Sequence, residues 1–106
     1  MKPARLRPAA KLDLDEQALW YAKSAGAALG HDFVDTALAA LMLLETQPGI
    51  GSLRWNAPDH QPVLRAWRVR RFPALRFYVE RQDHIDVLRL LGEREDTTAI
   101  LAAGLD

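Results

Sequence analysis

The chain has no cysteine among its 106 residues, which excludes disulfides, thiolate metal sites and thiol nucleophiles. Histidine is scarce too: His31, His60 and His84 stand at spacings that fit no ligand set, so no metal site is expected. The two serines, Ser24 and Ser52, lack the setting of an activated nucleophile. No glycine-rich phosphate loop is present, because Gly49 and Gly51 flank Ile50 in a turn-like stretch and not in a strand-to-helix cradle. No cofactor is expected from these absences. The longest uninterrupted apolar run, residues 37–44, has eight members, against the ~20 needed to span a bilayer. The opening Met1-Lys2-Pro3-Ala4-Arg5 lacks the apolar centre of a secretory signal. The expectation is a cytoplasmic protein with no membrane association.

What the chain does have is an ordinary apolar fraction, 49%, beside 26% charged residues. That composition suits a single compact domain over residues 1–106. Formal net charge is zero, but the charges are unevenly placed. Residues 1–47 carry five basic and six acidic groups, whereas residues 54–76 carry six arginines (54, 65, 68, 70, 71 and 76) against Asp59 alone, six minus one, or +5. Arginine is the cation suited to carboxylate and phosphate forks and to stacking on rings.

Hydrophobic periodicity orders the chain. Residues 2–7 read as a brief strand confined to a sheet edge, since Pro3 and Pro8 cannot donate to a ladder. Residues 9–24 read as a helix with Leu12, Leu19, Ala22 and Ala25 on its apolar face and Asp13, Asp15, Glu16 and Lys23 opposite. Gly26 and Gly30 make a connection, and a second helix begins near His31, with Asp32 as N-cap. Its track is Phe33, Ala37, Leu41 and Leu44, and Pro48-Gly49 ends it. The two helices should form an antiparallel hairpin. After a loop at 49–62, strands are expected at 63–72, 74–81 and 85–91, antiparallel because their links are short. In the second of these, Leu75, Phe77 and Val79 face one way and Arg76, Tyr78 and Glu80 the other. The third is the most apolar and so the most central. A short helix at 97–103, closed by Gly104, completes an α+β fold: an edge strand, a helical hairpin packed on a mostly antiparallel sheet of three to four strands, and a C-terminal helix.

Several segments in this order resemble the ParE family of the ParE/RelE toxin–antitoxin superfamily. They are Leu6-Arg7-Pro8-Ala9-Ala10, the glycine link from Ser24 to Gly30, Phe33 with Asp35, and Gln47-Pro48-Gly49-Ile50-Gly51. Arg70-Arg71-Phe72-Pro73, Phe77-Tyr78, Ile85 and Val87-Leu88-Arg89-Leu90-Leu91 before Glu95-Asp96 continue the match. Two positions depart, with Gly92 where the family often has histidine and Glu95 where it usually has arginine. The resemblance implies a plasmid-stabilising toxin that inhibits DNA gyrase by protein–protein binding, and a ParD-like antitoxin that folds as it wraps the toxin. The alternative is a RelE-like ribosome-dependent mRNA endoribonuclease.

RNA cleavage needs a group to activate the 2′-hydroxyl and another to protonate the leaving oxygen. Residues 92–106 contain no tyrosine, histidine or lysine, so no catalytic set is assigned; a nuclease would have to rely on Arg68, Arg76 and Arg89. An ion pair of Arg89 with Glu95 or Asp96 is equally open. The partner-binding candidates are Trp55 and Trp67, the arginines Arg68, Arg70, Arg71 and Arg76, and Tyr78. Arg68, Arg70 and Arg76 are assigned to one face and Arg71 to the other. Direct sequence-specific nucleic-acid binding is not expected.

Overall fold

A computed structural model describes residues 1–59, 61–93 and 95–104; His60 lies outside them. Strand β1 (Ala4–Leu6) leads into helices α1 (Pro8–Ala25) and α2 (Ala27–Thr46), followed by β2 (Arg65–Arg68), β3 (Ala74–Glu80), β4 (Ile85–Gly92) and α3 (Thr97–Ala103). The sheet order is β1-β4-β3-β2, with β1 parallel to β4 and the other pairings antiparallel. The fold is therefore α+β with a mostly antiparallel sheet, and β1 sits at an edge, as its flanking prolines require.

The hairpin differs from the sequence expectation at its bend. Asp32 is not a cap: the helices are joined by Gly26 alone, at φ 102°, a conformation open to glycine. Gly30 is inside α2, and it is there for packing. A Cβ at that position would stand 2.9 Å from the Ala18 carbonyl oxygen and 3.0 Å from the Ala22 Cβ, so the glycine lets the two helices close together. Over its most apolar stretch α2 averages a hydropathy of 1.4, enough by length and composition for a membrane span, although no run in it is long. In this fold it buries one face, Phe33, Ala37, Leu41 and Leu44, and leaves Leu38 and Met42 exposed on another.

The α1 face also differs. Leu12 and Leu19 are exposed, and the inward track is Ala10, Leu14, Ala18 and Tyr21, with Asp13 buried beside it. Strand β1 ends at Leu6, so the outer edge of β4 beyond Val87 lacks a strand partner. Helix α1 supplies one. The Leu90 N–H donates to Asp13 Oδ2 at 2.9 Å, and Gln17 Nε2 donates to the Leu90 carbonyl at 2.8 Å. A bare sheet edge is thereby closed by two side chains.

Both faces of the sheet are covered. The hairpin packs on one, over Val69, Tyr78, Ile85, Val87 and Leu90, while Ile100 and Leu101 of α3 and Trp55 pack toward Leu88, Leu91, Phe77 and Val79 on the other. A β-bulge makes this possible in β4. Phe77 pairs with Arg89 and Tyr78 with Val87, which skips Leu88. The extra residue shifts the alternation, so the run Val87 to Leu91 supplies apolar groups to both layers. Asp96 caps α3 by accepting from the Ala99 N–H at 3.0 Å, and Gly104 ends it at φ 101°.

Candidate functional site

The turn between β2 and β3 sets the site. Val69 N–H donates to the Ala74 carbonyl at 2.9 Å and Ala74 N–H to that of Phe72 at 2.8 Å. Within this tight turn Arg71 adopts φ 72°, a left-handed conformation that is costly for a residue with a Cβ. Its guanidinium carbon lies 5.6 Å from the Phe72 ring centroid. Arg68, Arg70 and Arg71 are all exposed, and all three line one groove of about 980 Å³ between β2 and α2. Arg71 thus joins Arg68 and Arg70 and does not face away from them. Trp67 and Val69 form the sheet side of the groove, and Ala39, Ala40 and Leu43 the helix side.

Those α2 residues were not among the sequence candidates. Their signal was the apolarity of α2 outside its core track, where small residues leave a concave flank. The buried flank of the same helix faces the sheet through Ala37 and Leu44.

A second groove, of about 480 Å³, lies on the other side of Arg68. Trp55, Arg54 and Leu75 line it with Gly92 and Thr97. Trp55 stacks edge-on against Phe77, with ring centroids 5.5 Å apart, and carries the Arg54 guanidinium carbon 5.0 Å above its ring. Trp55 and Trp67 therefore serve different grooves, with Arg68 bordering both.

Tyr78 and Arg76 are interior, contrary to their reading as exposed partner contacts, because the hairpin covers the face on which they stand. The Tyr78 hydroxyl donates to the Pro48 carbonyl at 2.8 Å and accepts from the Gly51 N–H at 2.9 Å. Burial pushes its pKa up, against the opposing Gly51 hydrogen bond. It pins the loop after α2 so closely that a Cβ on Gly51 would collide with the hydroxyl. Arg76 is wholly buried; its Nη2 donates to the Ala37 carbonyl at 2.8 Å, while Nε and Nη1 have no hydrogen-bond partner. Burial lowers its pKa to about 10.

Arg89 pairs with neither Glu95 nor Asp96. It forks onto Asp13, Nε to Oδ2 at 2.7 Å and Nη2 to Oδ1 at 2.9 Å, and that hydrogen bonding raises its pKa. Glu95 instead accepts from the Gly92 N–H at 2.7 Å. The three arginines on which a nuclease would depend are thus not brought together: Arg68 is at a groove rim, Arg76 under α2, and Arg89 tied to α1. His84 sits in the β3–β4 turn beside Asp83, 2.7 Å from its carboxylate. Among the described residues no group of three or more potential metal ligands stands together.

The family described as ParE toxin of type II toxin-antitoxin system, parDE, matches residues 4–97. Among solved structures, a chain of the chromosomal ParDE TA system from P. aeruginosa superposes with a TM-score of 0.72. It is 20% identical, and the match covers 87% of this chain and 96% of that one. No curated protein matches by sequence.

Proposed function

The chain belongs to the ParE toxin family of type II toxin–antitoxin systems, and from that premise we propose that it poisons DNA gyrase by protein–protein binding and is neutralised by a cognate ParD-like antitoxin. The observation that carries the choice of binding over RNA cleavage is the state of the arginines. Arg89 is engaged by Asp13 and Arg76 is enclosed, so neither is presented to a phosphate, whereas Arg68, Arg70 and Arg71 stand exposed on one groove. Three exposed cations against one exposed carboxylate, Asp35, around an apolar floor favour steered association with an acidic protein surface. Such a target would lie in the cytoplasm, and a toxin held in check by its antitoxin would serve plasmid stabilisation.

The test is tightly controlled expression without the antitoxin gene. Growth arrest with gyrase-dependent DNA breaks and intact messenger RNA is the expected result, and co-expression of the adjoining antitoxin restores growth. Transcript cleavage on translating ribosomes without DNA breaks overturns the proposal in favour of an endoribonuclease. The second groove, with Trp55, Arg54 and Arg68 together, is where such an enzyme would hold a base and phosphate. Undisturbed growth would leave a binding module with no poisoning activity.

A further inference from the structure

Arg71 carries a strain that the turn does not require. It is the single non-glycine residue at positive φ among the described residues, in a conformation that an L side chain resists. The neighbouring Phe72 accounts for the backbone. Its ring stands 5.1 Å from both Tyr21 and Phe33, and delivering it to that cluster turns the chain over at residue 71. Hydrogen bonds hold the turn on either side, from the Val69 N–H to the Ala74 carbonyl at 2.9 Å and from the Glu93 N–H to the Pro73 carbonyl at 2.8 Å. Glycine at residue 71 would make the same turn without strain. What arginine adds there is its side chain, which is exposed and has no carboxylate paired to it among the described residues.

Placement separates Arg71 from its neighbours. Its guanidinium carbon lies 5.6 Å from the Phe72 ring centroid, and that ring is 6% exposed and clamped by two others. Arg68 and Arg70 are exposed too, but no ring or carboxylate among the described residues holds them. A free arginine gives up rotamer freedom when it meets a partner; Arg71 has given up part of it on folding. We infer that Arg71 is the anchor by which the toxin grips its target protein, forking onto a carboxylate of that surface, while Arg68 and Arg70 only steer the approach. The inference rests on the gyrase reading for the identity of the target. A strained backbone retained at a point of exposed charge is the arrangement of a contact residue, and a planar fork fixed on a ring fits a carboxylate in one geometry where loose cations fit many.

The experiment passes the purified chain over immobilised DNA gyrase and compares Arg70→Ala with Arg71→Ala, the same charge removed at adjacent positions. Arg71→Ala should weaken binding by about 30-fold or more through faster dissociation, and Arg70→Ala by about 3-fold or less through slower, salt-dependent association. Arg71→Lys keeps the charge but lacks the fork, and should lose about 10-fold. Arg71→Gly keeps the turn and relieves it; it should melt no lower than Arg71→Ala and bind as poorly, which separates lost binding from lost folding. Equal effects at residues 70 and 71, or full affinity in Arg71→Lys, overturn the inference. So does binding that free duplex DNA abolishes, since the group gripped would then be a phosphate. If Arg71→Ala binds gyrase as the native chain does, this inference falls and the gyrase reading stands. If the native chain arrests growth on induction without binding gyrase, the gyrase reading falls. The inference then stands where Arg71→Ala abolishes arrest and Arg70→Ala keeps it, and falls where the two behave alike. A native chain that neither binds gyrase nor arrests growth overturns both.

Discussion

Replacing Arg76 by methionine should make the protein more stable. Burial holds this guanidinium at about 10, against an ordinary value above about 12, and at ~1.36 kcal/mol for each pH unit the charged form costs on the order of 3 kcal/mol. Because the folded value is the lowered one, the cost is present in full at any pH below it, neutral pH included, and shrinks only as the pH rises through 10. Methionine is unbranched and adaptable enough to fill the space without a charge. What it loses is the 2.8 Å bond to the Ala37 carbonyl, worth about 1 kcal/mol. The balance is a gain of roughly 2 kcal/mol, or about 10 °C in melting temperature for a domain of this size. Thermal and urea unfolding at neutral pH, followed by circular dichroism, measures it, with an unchanged urea slope as the check that the unfolded state is comparable. A variant that melts below the native chain would refute the reasoning, since it would mean that the guanidinium contributes more to the fold than its enclosure costs.

Three further outcomes follow from the same geometry. Asp13→Ala strands Arg89 and the Leu90 N–H together, and should lower stability by about 3 kcal/mol; a urea midpoint within experimental error of the native one would refute it. At Asp86, burial raises the carboxyl pKa, but hydrogen bonds from Arg7 and Arg81 outweigh it and hold the group below its ordinary value. Its stabilisation is thus complete above about pH 4 and fades as pH falls through the lowered value, so Asp86→Asn should lose stability at pH 7 and show a flatter decline below pH 4. Parallel acid limbs for the two proteins would contradict this. Arg71, at φ 72°, should be more stable as glycine than as alanine by about 1 kcal/mol, a comparison in which both variants lack the guanidinium; equal urea midpoints would show the turn to be unstrained.

The features legible in the sequence were those decided locally. The strict alternation of Leu75, Phe77 and Val79 against Arg76 and Tyr78 holds in β3, and the prolines beside β1 put it at an edge. The phase of α1 was not legible, because Leu12 and Leu19 compete with the equally periodic track of Ala10, Leu14, Ala18 and Tyr21 that turns inward, and periodicity alone does not say which apolar stripe is covered. Asp13 is buried for a reason outside its helix: β1 is three residues long, and a carboxylate on α1 must meet the β4 backbone where β1 has stopped. Gly30 read as a break because periodicity carries no information about how closely another helix approaches. The Arg89 pairing was missed on the same ground, its partner being 76 residues away.

Charge counting located the arginine-rich stretch but could not divide it, since burial depends on what covers each sheet face. One alternate residue of β3 points toward α2 and the next toward α3, so a strand with helices on both sides has no solvated row on which to place a cation. Arg76 must then be enclosed by any fold that puts the hairpin over Tyr78, while Arg68, Arg70 and Arg71 escape because β2 ends at Arg68 and the turn carries the others past the edge of α2. The division between exposed and enclosed cations comes from strand length. Extending β2 through the turn, or removing the hairpin cover, would erase it without changing a single charge.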